Sequence, residues 1–136
     1  LSADYLTIAE VRAIHDAEVA RTDEDDEVLN YSYLEAAVAR PKTELIGGDT
    51  YPSVEAKAAA YVESLACNHA FVEGNKRTAA VVMIVFLERN GLVFDAANDD
   101  LFEFVRDVSL GREGPHDFDS IERWIQKHTA PASDDS

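Results

Sequence analysis

Cysteine is all but missing from this sequence. Cys67 stands alone, so no disulfide can close within the chain, and such usage fits a reducing, cytoplasmic compartment. Lysine is scarce as well, confined to Lys42, Lys57, Lys76 and Lys127. With 12 Lys plus Arg against 27 Asp plus Glu, the formal net charge is −15. That balance argues against direct nucleic-acid binding, which rewards clustered positive charge. It is also the balance expected of a salt-adapted protein, in which screening tames self-repulsion. No apolar run reaches membrane-spanning length, because Glu88 and Arg89 end the longest one. The opening LSADYLTIAEVRAIH is amphipathic with early acids, unlike a secretion leader. Period-two alternation is almost absent, so any strands are confined to residues 44–52.

What is present is helix. The chain has 136 residues, 46% of them hydrophobic, enough for one domain with a core and too few for two. Thr7 and Glu10 form a capping box ahead of a helix with Ile8, Val11 and Ile14 at helical spacing. Residues 22–27, TDEDDE, read as a solvated loop, as does the acidic run at 98–100. Ser32 and Glu35 suggest a second capping box, with Pro41 closing that helix. Ser53 caps an alanine-rich helix, VEAKAAAYVESLACNH. A fourth helix runs from about Asn75 to Asn90, stopped by Asn90-Gly91. Asn98 and Gly111 bracket a fifth, and DSIERWIQKH makes a short sixth. The expectation is an all-α, compact single-domain bundle of about six helices over residues 1–128, with a disordered tail at 129–136. The helix from Thr78 to Leu87 is apolar nearly all round and is expected to be central and buried.

The chemistry concentrates immediately ahead of that helix, in HAFVEGNKR at 69–77. A helix start presents unpaired backbone N–H groups and the positive end of the helix dipole. Gly74 lets the backbone turn so that successive N–H groups converge, and Asn75 suits the N-cap. Lys76 and Arg77 complete a strong anion site of the type that holds phosphates. Cations at a helix N-terminus oppose the dipole by roughly 0.3–1 kcal/mol each, so their presence calls for a bound anion. His69 can act as a general base toward a hydroxyl. Glu73 can ligate a Mg²⁺ that bridges phosphates, and Phe71 anchors the loop in the core. Base, metal ligand, anion cradle and cation pair together suggest phosphoryl or nucleotidyl transfer.

HAFVEGNKRTA resembles the signature H-x-F-x-[D/E]-[G/A]-N-[K/G]-R of the Fic/Doc superfamily, and specifically its death-on-curing (Doc) branch. A chance match at seven positions is on the order of 10⁻⁸ per start point. YLTIAEVRAIH, LEAAVARP, YPSVEAKAAAYVESLACNHAF and FLERNG are similar to Doc segments in the same order, so the resemblance spans roughly residues 5 to 127. It implies the toxin of a toxin–antitoxin pair. AMP-transferring Fic enzymes typically carry Gly after the motif Asn and a second Arg three residues after the first. Lys76 and Ala80 stand at those positions here, which favours γ-phosphate transfer from ATP over AMP transfer. By the resemblance, His69 is the base for a target Thr or Ser hydroxyl and Glu73 the Mg²⁺ ligand, while Gly74, Asn75, Lys76 and Arg77 hold phosphates. The implied substrate is a translation elongation factor and the implied partner a Phd-like antitoxin. The alternatives are AMP or other nucleotidyl transfer, and a catalytically inactive module that binds a nucleotide or a partner helix.

The remaining polar residues read more plainly. His15, His116 and His128 lack partners at ligand spacing and are expected to be structural or surface groups; for the same reason a zinc hydrolase is disfavoured. Cys67 reads as a small core residue. Arg40-Pro41 reads as a helix stop, with Arg40 a secondary candidate for the site.

Overall fold

The computed structural model describes residues 3–133. Six α-helices dominate: α1 (Ile8–Ala20), α2 (Tyr31–Ala39), α3 (Val54–Cys67), α4 (Asn75–Arg89), α5 (Asn98–Ser109) and α6 (Phe118–Lys127). The all-α expectation therefore holds, with small strand pairs added. No described helix is long and apolar enough to cross a membrane.

Helix starts follow side-chain oxygens. Thr7 and Glu10 close the expected capping box on α1. Ser53 accepts from Ala56 N on α3, and Asp117 accepts from Ser120 N on α6. Besides that of α4, two starts differ from expectation. On α2 the cap is Asn30, accepting from Tyr33 N, because the helix already includes Ser32. On α5 the helix begins at Asn98 itself, behind Ala97, with no side-chain cap. Pro41 sits in a 3₁₀ turn, Arg40–Lys42, that ends α2 as its missing N–H requires.

The core is shared by two helices rather than centred on α4 alone. Helix α4 buries Thr78, Ala79, Ala80, Val82, Met83, Phe86 and Leu87, and packs on α1, α3 and α5. Helix α3 is buried at every position from Ala56 to Val62 and again from Ser64 to Ala66. Its alanines keep the helix thin, so α2, α4, α5 and α6 all approach it closely. Even Lys57 is buried, its ammonium held by Asp49 Oδ2 at 3.0 Å and by the Tyr51 carbonyl. That bond ties down the small hairpin of β1 (Glu44–Leu45) and β2 (Gly48–Asp49), the strands expected within residues 44–52.

A second antiparallel pair was not expected. Strand β3 (Leu92–Phe94) pairs with β4 (Thr129–Pro131), so the segment read as the start of a disordered tail is hydrogen-bonded to the chain that follows α4. Residues 134–136 of that tail lie outside the described residues. A third, minimal pairing links Val28 with Phe71. Around it, Leu29 and Asn30 donate to Ala70 O at 2.8 and 3.0 Å, and Val72 donates to Glu27 O at 3.1 Å. The segment between α1 and α2 thus clamps the loop between α3 and α4.

Candidate active site

The α3–α4 loop is the place where backbone geometry becomes chemistry. Helix α3 ends at Cys67, and the chain reaches α4 through Gly74, which adopts φ 82° and ψ 13°. Only glycine enters that left-handed region without penalty. Space also demands glycine, because a Cβ there would lie 2.7 Å from Val19 Cγ1. Gly74, not Asn75, is the N-cap. The first backbone bond into α4 runs from Thr78 N–H to Gly74 O at 2.9 Å, so the amides of Asn75, Lys76 and Arg77 open toward the helix start.

Each expected site residue can be placed. His69, Glu73, Gly74, Asn75, Lys76 and Arg77 all line one cavity of about 530 Å³, together with Val72, Phe102 and Val105. His69 is exposed to it, and its ring makes no hydrogen bond among the described residues. Phe71 is buried, as expected of an anchor. The Asn75 amide is spent on the loop: Oδ1 accepts from Phe71 N at 3.1 Å and Nδ2 donates to Phe71 O at 2.8 Å. What Asn75 offers an anion is its backbone N–H. Lys76 is exposed at the cavity.

Arg77 departs most from expectation. Its guanidinium pairs with Glu24 and donates to Thr22 Oγ1 at 3.0 Å and to Glu18 O at 3.4 Å. The acidic stretch at 22–27 is therefore partly built into the site. Thr22 and Arg77, in that order, hold the Glu24 carboxyl below its ordinary range. Asp25 N–H donates to Glu73 Oε2 at 3.1 Å, which fixes the Glu73 carboxylate at the cavity wall while Oε1 receives no hydrogen bond from the described residues. Among the described residues no three His, Cys, Asp or Glu side chains cluster as a ready-made metal cage. One anchored carboxylate with a free oxygen is nonetheless what a Mg²⁺ held mainly by phosphates and water requires.

His15, read from sequence as structural or surface, proves to be the loop's main support. It is fully buried, stacks on Phe71 with centroids 3.6 Å apart and planes at 8°, and donates from Nε2 to Glu73 O at 2.7 Å. Its sequence distance from the motif, 58 residues in this bond, hid the contact. His116 and His128 bond locally, to Ser120 Oγ and Trp124 O, each at 2.7 Å. Cys67 is half-buried, donates to Val108 O, and burial raises its thiol pKa.

A larger cavity, about 880 Å³, adjoins Asn68 on the other side of the α3 end and contains Arg40. Size does not select the site here, because none of the motif's functional groups line that cavity. Arg40 is engaged there by Glu63 at 2.7 Å, Tyr51 Oη at 2.8 Å and Ser64 Oγ at 3.0 Å, which removes it from the motif.

The chain is 50% identical over 72 residues to Toxin Doc of Mycolicibacterium smegmatis (strain ATCC 700084 / mc(2)155), a match covering 53% of this chain and 55% of that one. The chain thus matches about half the length of that relative. A model of the Fic/DOC family matches residues 5–87, which takes in α1 through most of α4 with the whole motif loop, and the chain belongs to that family.

Proposed function

We propose that this protein transfers the γ-phosphate of ATP to a Thr or Ser hydroxyl of a target protein, as the Doc-type toxin of a toxin–antitoxin pair. The observation that carries this reading is the convergence of His69, the Glu73 carboxylate and the open N-terminus of α4 on one cavity. The exposed apolar side chains Val72 and Phe102 at that cavity suit a polypeptide acceptor.

In this reaction the target hydroxyl oxygen forms a bond to the γ-phosphorus while His69 accepts its proton, and ADP leaves with the bridging oxygen. The backbone amides of Gly74 to Lys76 receive the phosphoryl oxygens, and Lys76 faces the charge left on ADP. Glu73 would hold Mg²⁺, which when bound neutralises charge shared between the phosphates. Ala80 supports γ- over α-transfer: it is buried, so no guanidinium reaches the phosphates from that turn of α4. The mycobacterial relative, Toxin Doc, supports the toxin role. With it come a Phd-like antitoxin as partner and a translation elongation factor as target, the outcome being growth arrest in the cytoplasm.

The test is His69→Ala with ATP labelled at the γ position and a host lysate as acceptor. Wild type should label a protein, and the variant should lose at least about 100-fold in rate, the scale of a missing general base. Equal labelling by both proteins would defeat the role given to His69. Normal nucleotide binding with no labelling by wild type would leave an inactive binding module instead.

A further inference from the structure

We propose that His15 is a positioning residue: by holding the Glu73 carbonyl it turns the Gly74 N–H into the motif cavity as an anion donor. The inference deepens the phosphoryl-transfer reading and rests on it for the consequence to rate, but not for the binding of the anion.

The argument begins with one peptide unit. The described residues contain no cis peptide bonds, so the Glu73 C=O and the Gly74 N–H, which share a plane, point in opposite directions. His15 Nε2 lies 2.7 Å from that carbonyl oxygen. The oxygen can only accept, so Nε2 carries the hydrogen, and the carbonyl is directed inward to α1. The Gly74 N–H is thereby directed away from α1, and Gly74 lines the motif cavity. The ring cannot turn to release the carbonyl. It is fully buried, its face lies flat on Phe71, and Nδ1 is 3.1 Å from Asp16 Oδ1. A buried ring stacked on one face and hydrogen-bonded through Nε2 is a fixed post, not a mobile side chain. Left-handed Gly74 followed by helical Asn75 places successive amides around a concavity of the kind that binds phosphate oxygens. Without the His15 bond, no other donor among the described residues holds the Glu73 carbonyl inward, and the peptide is free to flip and present an oxygen to the anion.

A merely structural histidine makes a different prediction. A phenylalanine keeps the stack on Phe71 and suits a dry site, so His15→Phe should then be harmless. The experiment records amide resonances of the full chain during titration with inorganic pyrophosphate, for wild type, His15→Phe and His15→Gln. Melting temperature and γ-phosphate transfer are measured alongside. In wild type, pyrophosphate should move the Gly74 amide resonance. His15→Phe should stay folded yet lose that response, with at least tenfold weaker pyrophosphate binding and slower transfer at saturating ATP. His15→Gln, which restores a donor, should recover part of the response. If His15→Phe fails to fold, His15→Gln decides by itself: a retained Gly74 response supports the proposal, and a lost response in the folded variant overturns it. A folded His15→Phe with wild-type response and affinity also overturns it, as does a wild-type Gly74 amide indifferent to pyrophosphate. A wild type that binds pyrophosphate at Gly74 but transfers no phosphate leaves the role of His15 standing and removes the kinase reading.

Discussion

Gly74 answers three demands at one residue: left-handed backbone, close approach to Val19, and an open helix start. Gly74→Ala should therefore cost more than left-handed strain alone, which runs to about 1–3 kcal/mol. A melting temperature lower by several degrees is expected, and Val19→Ala in the same chain should recover only the part due to contact. An unchanged melt for Gly74→Ala would contradict the geometry. Asn75 is the second such residue. Its amide makes two bonds to Phe71, so Asn75→Ala leaves a part-buried N–H and C=O unpaired at a cost of about 1–3 kcal/mol. Asn75→Asp keeps the acceptor and loses the donor, and should fall between the two in thermal melts. The motif residues themselves were legible in the sequence because their types are unusual beside an apolar helix. Their partners were not. Glu24, Asp25 and His15 reach the motif across 48 to 58 residues of chain, and nothing in local spacing reports that.

At the level of elements, α1 and α4 are joined by Glu10 and Arg89, and Glu10 also completes the capping box of α1. The bond from Arg89 and then the backbone bond from Thr7 take the Glu10 carboxyl from 4.5 down to about 2. A lowered carboxyl pKa stabilises the folded state fully above the ordinary value and loses that contribution as pH falls through the folded one. Wild type should thus lose stability between about pH 4.5 and 2. Glu10→Gln should flatten that part of the profile of denaturation midpoint against pH, while parallel profiles would remove the pair from the account. Helices were readable where a cap stood next to a periodic run, as at Thr7 and Ser53. They were misjudged by a residue or two where the cap was an asparagine upstream of a decoy Ser-x-x-Glu, or where no side chain capped at all. The strands β3 and β4 were missed because each has three residues, too few to show a period, and their pairing joins distant parts of the chain.

Across the whole molecule a net charge of −15 surrounds the helix start proposed to hold an anion. The positive end of α4 and Lys76 must act at short range against that background, and screening shortens the reach of the opposing field. Raising KCl from low to molar concentration should therefore raise the melting temperature, and an indifferent melt would remove salt adaptation from the account. On the proposed reading, in which the backbone amides contact the phosphates directly, the same screening should cost nucleotide binding little at moderate salt. What the fold contributes is rigidity: α3 and α4 pack into one core, α1 supplies His15 beneath the loop, and the segment at 27–30 clamps it from the side. The central claim is that this rigid cradle presents the terminal phosphate of ATP to His69. The direct measurement is transfer to protein from ATP labelled at either the γ or the α phosphate. The account predicts label on protein from the γ position alone, and label arriving from the α position would contradict it.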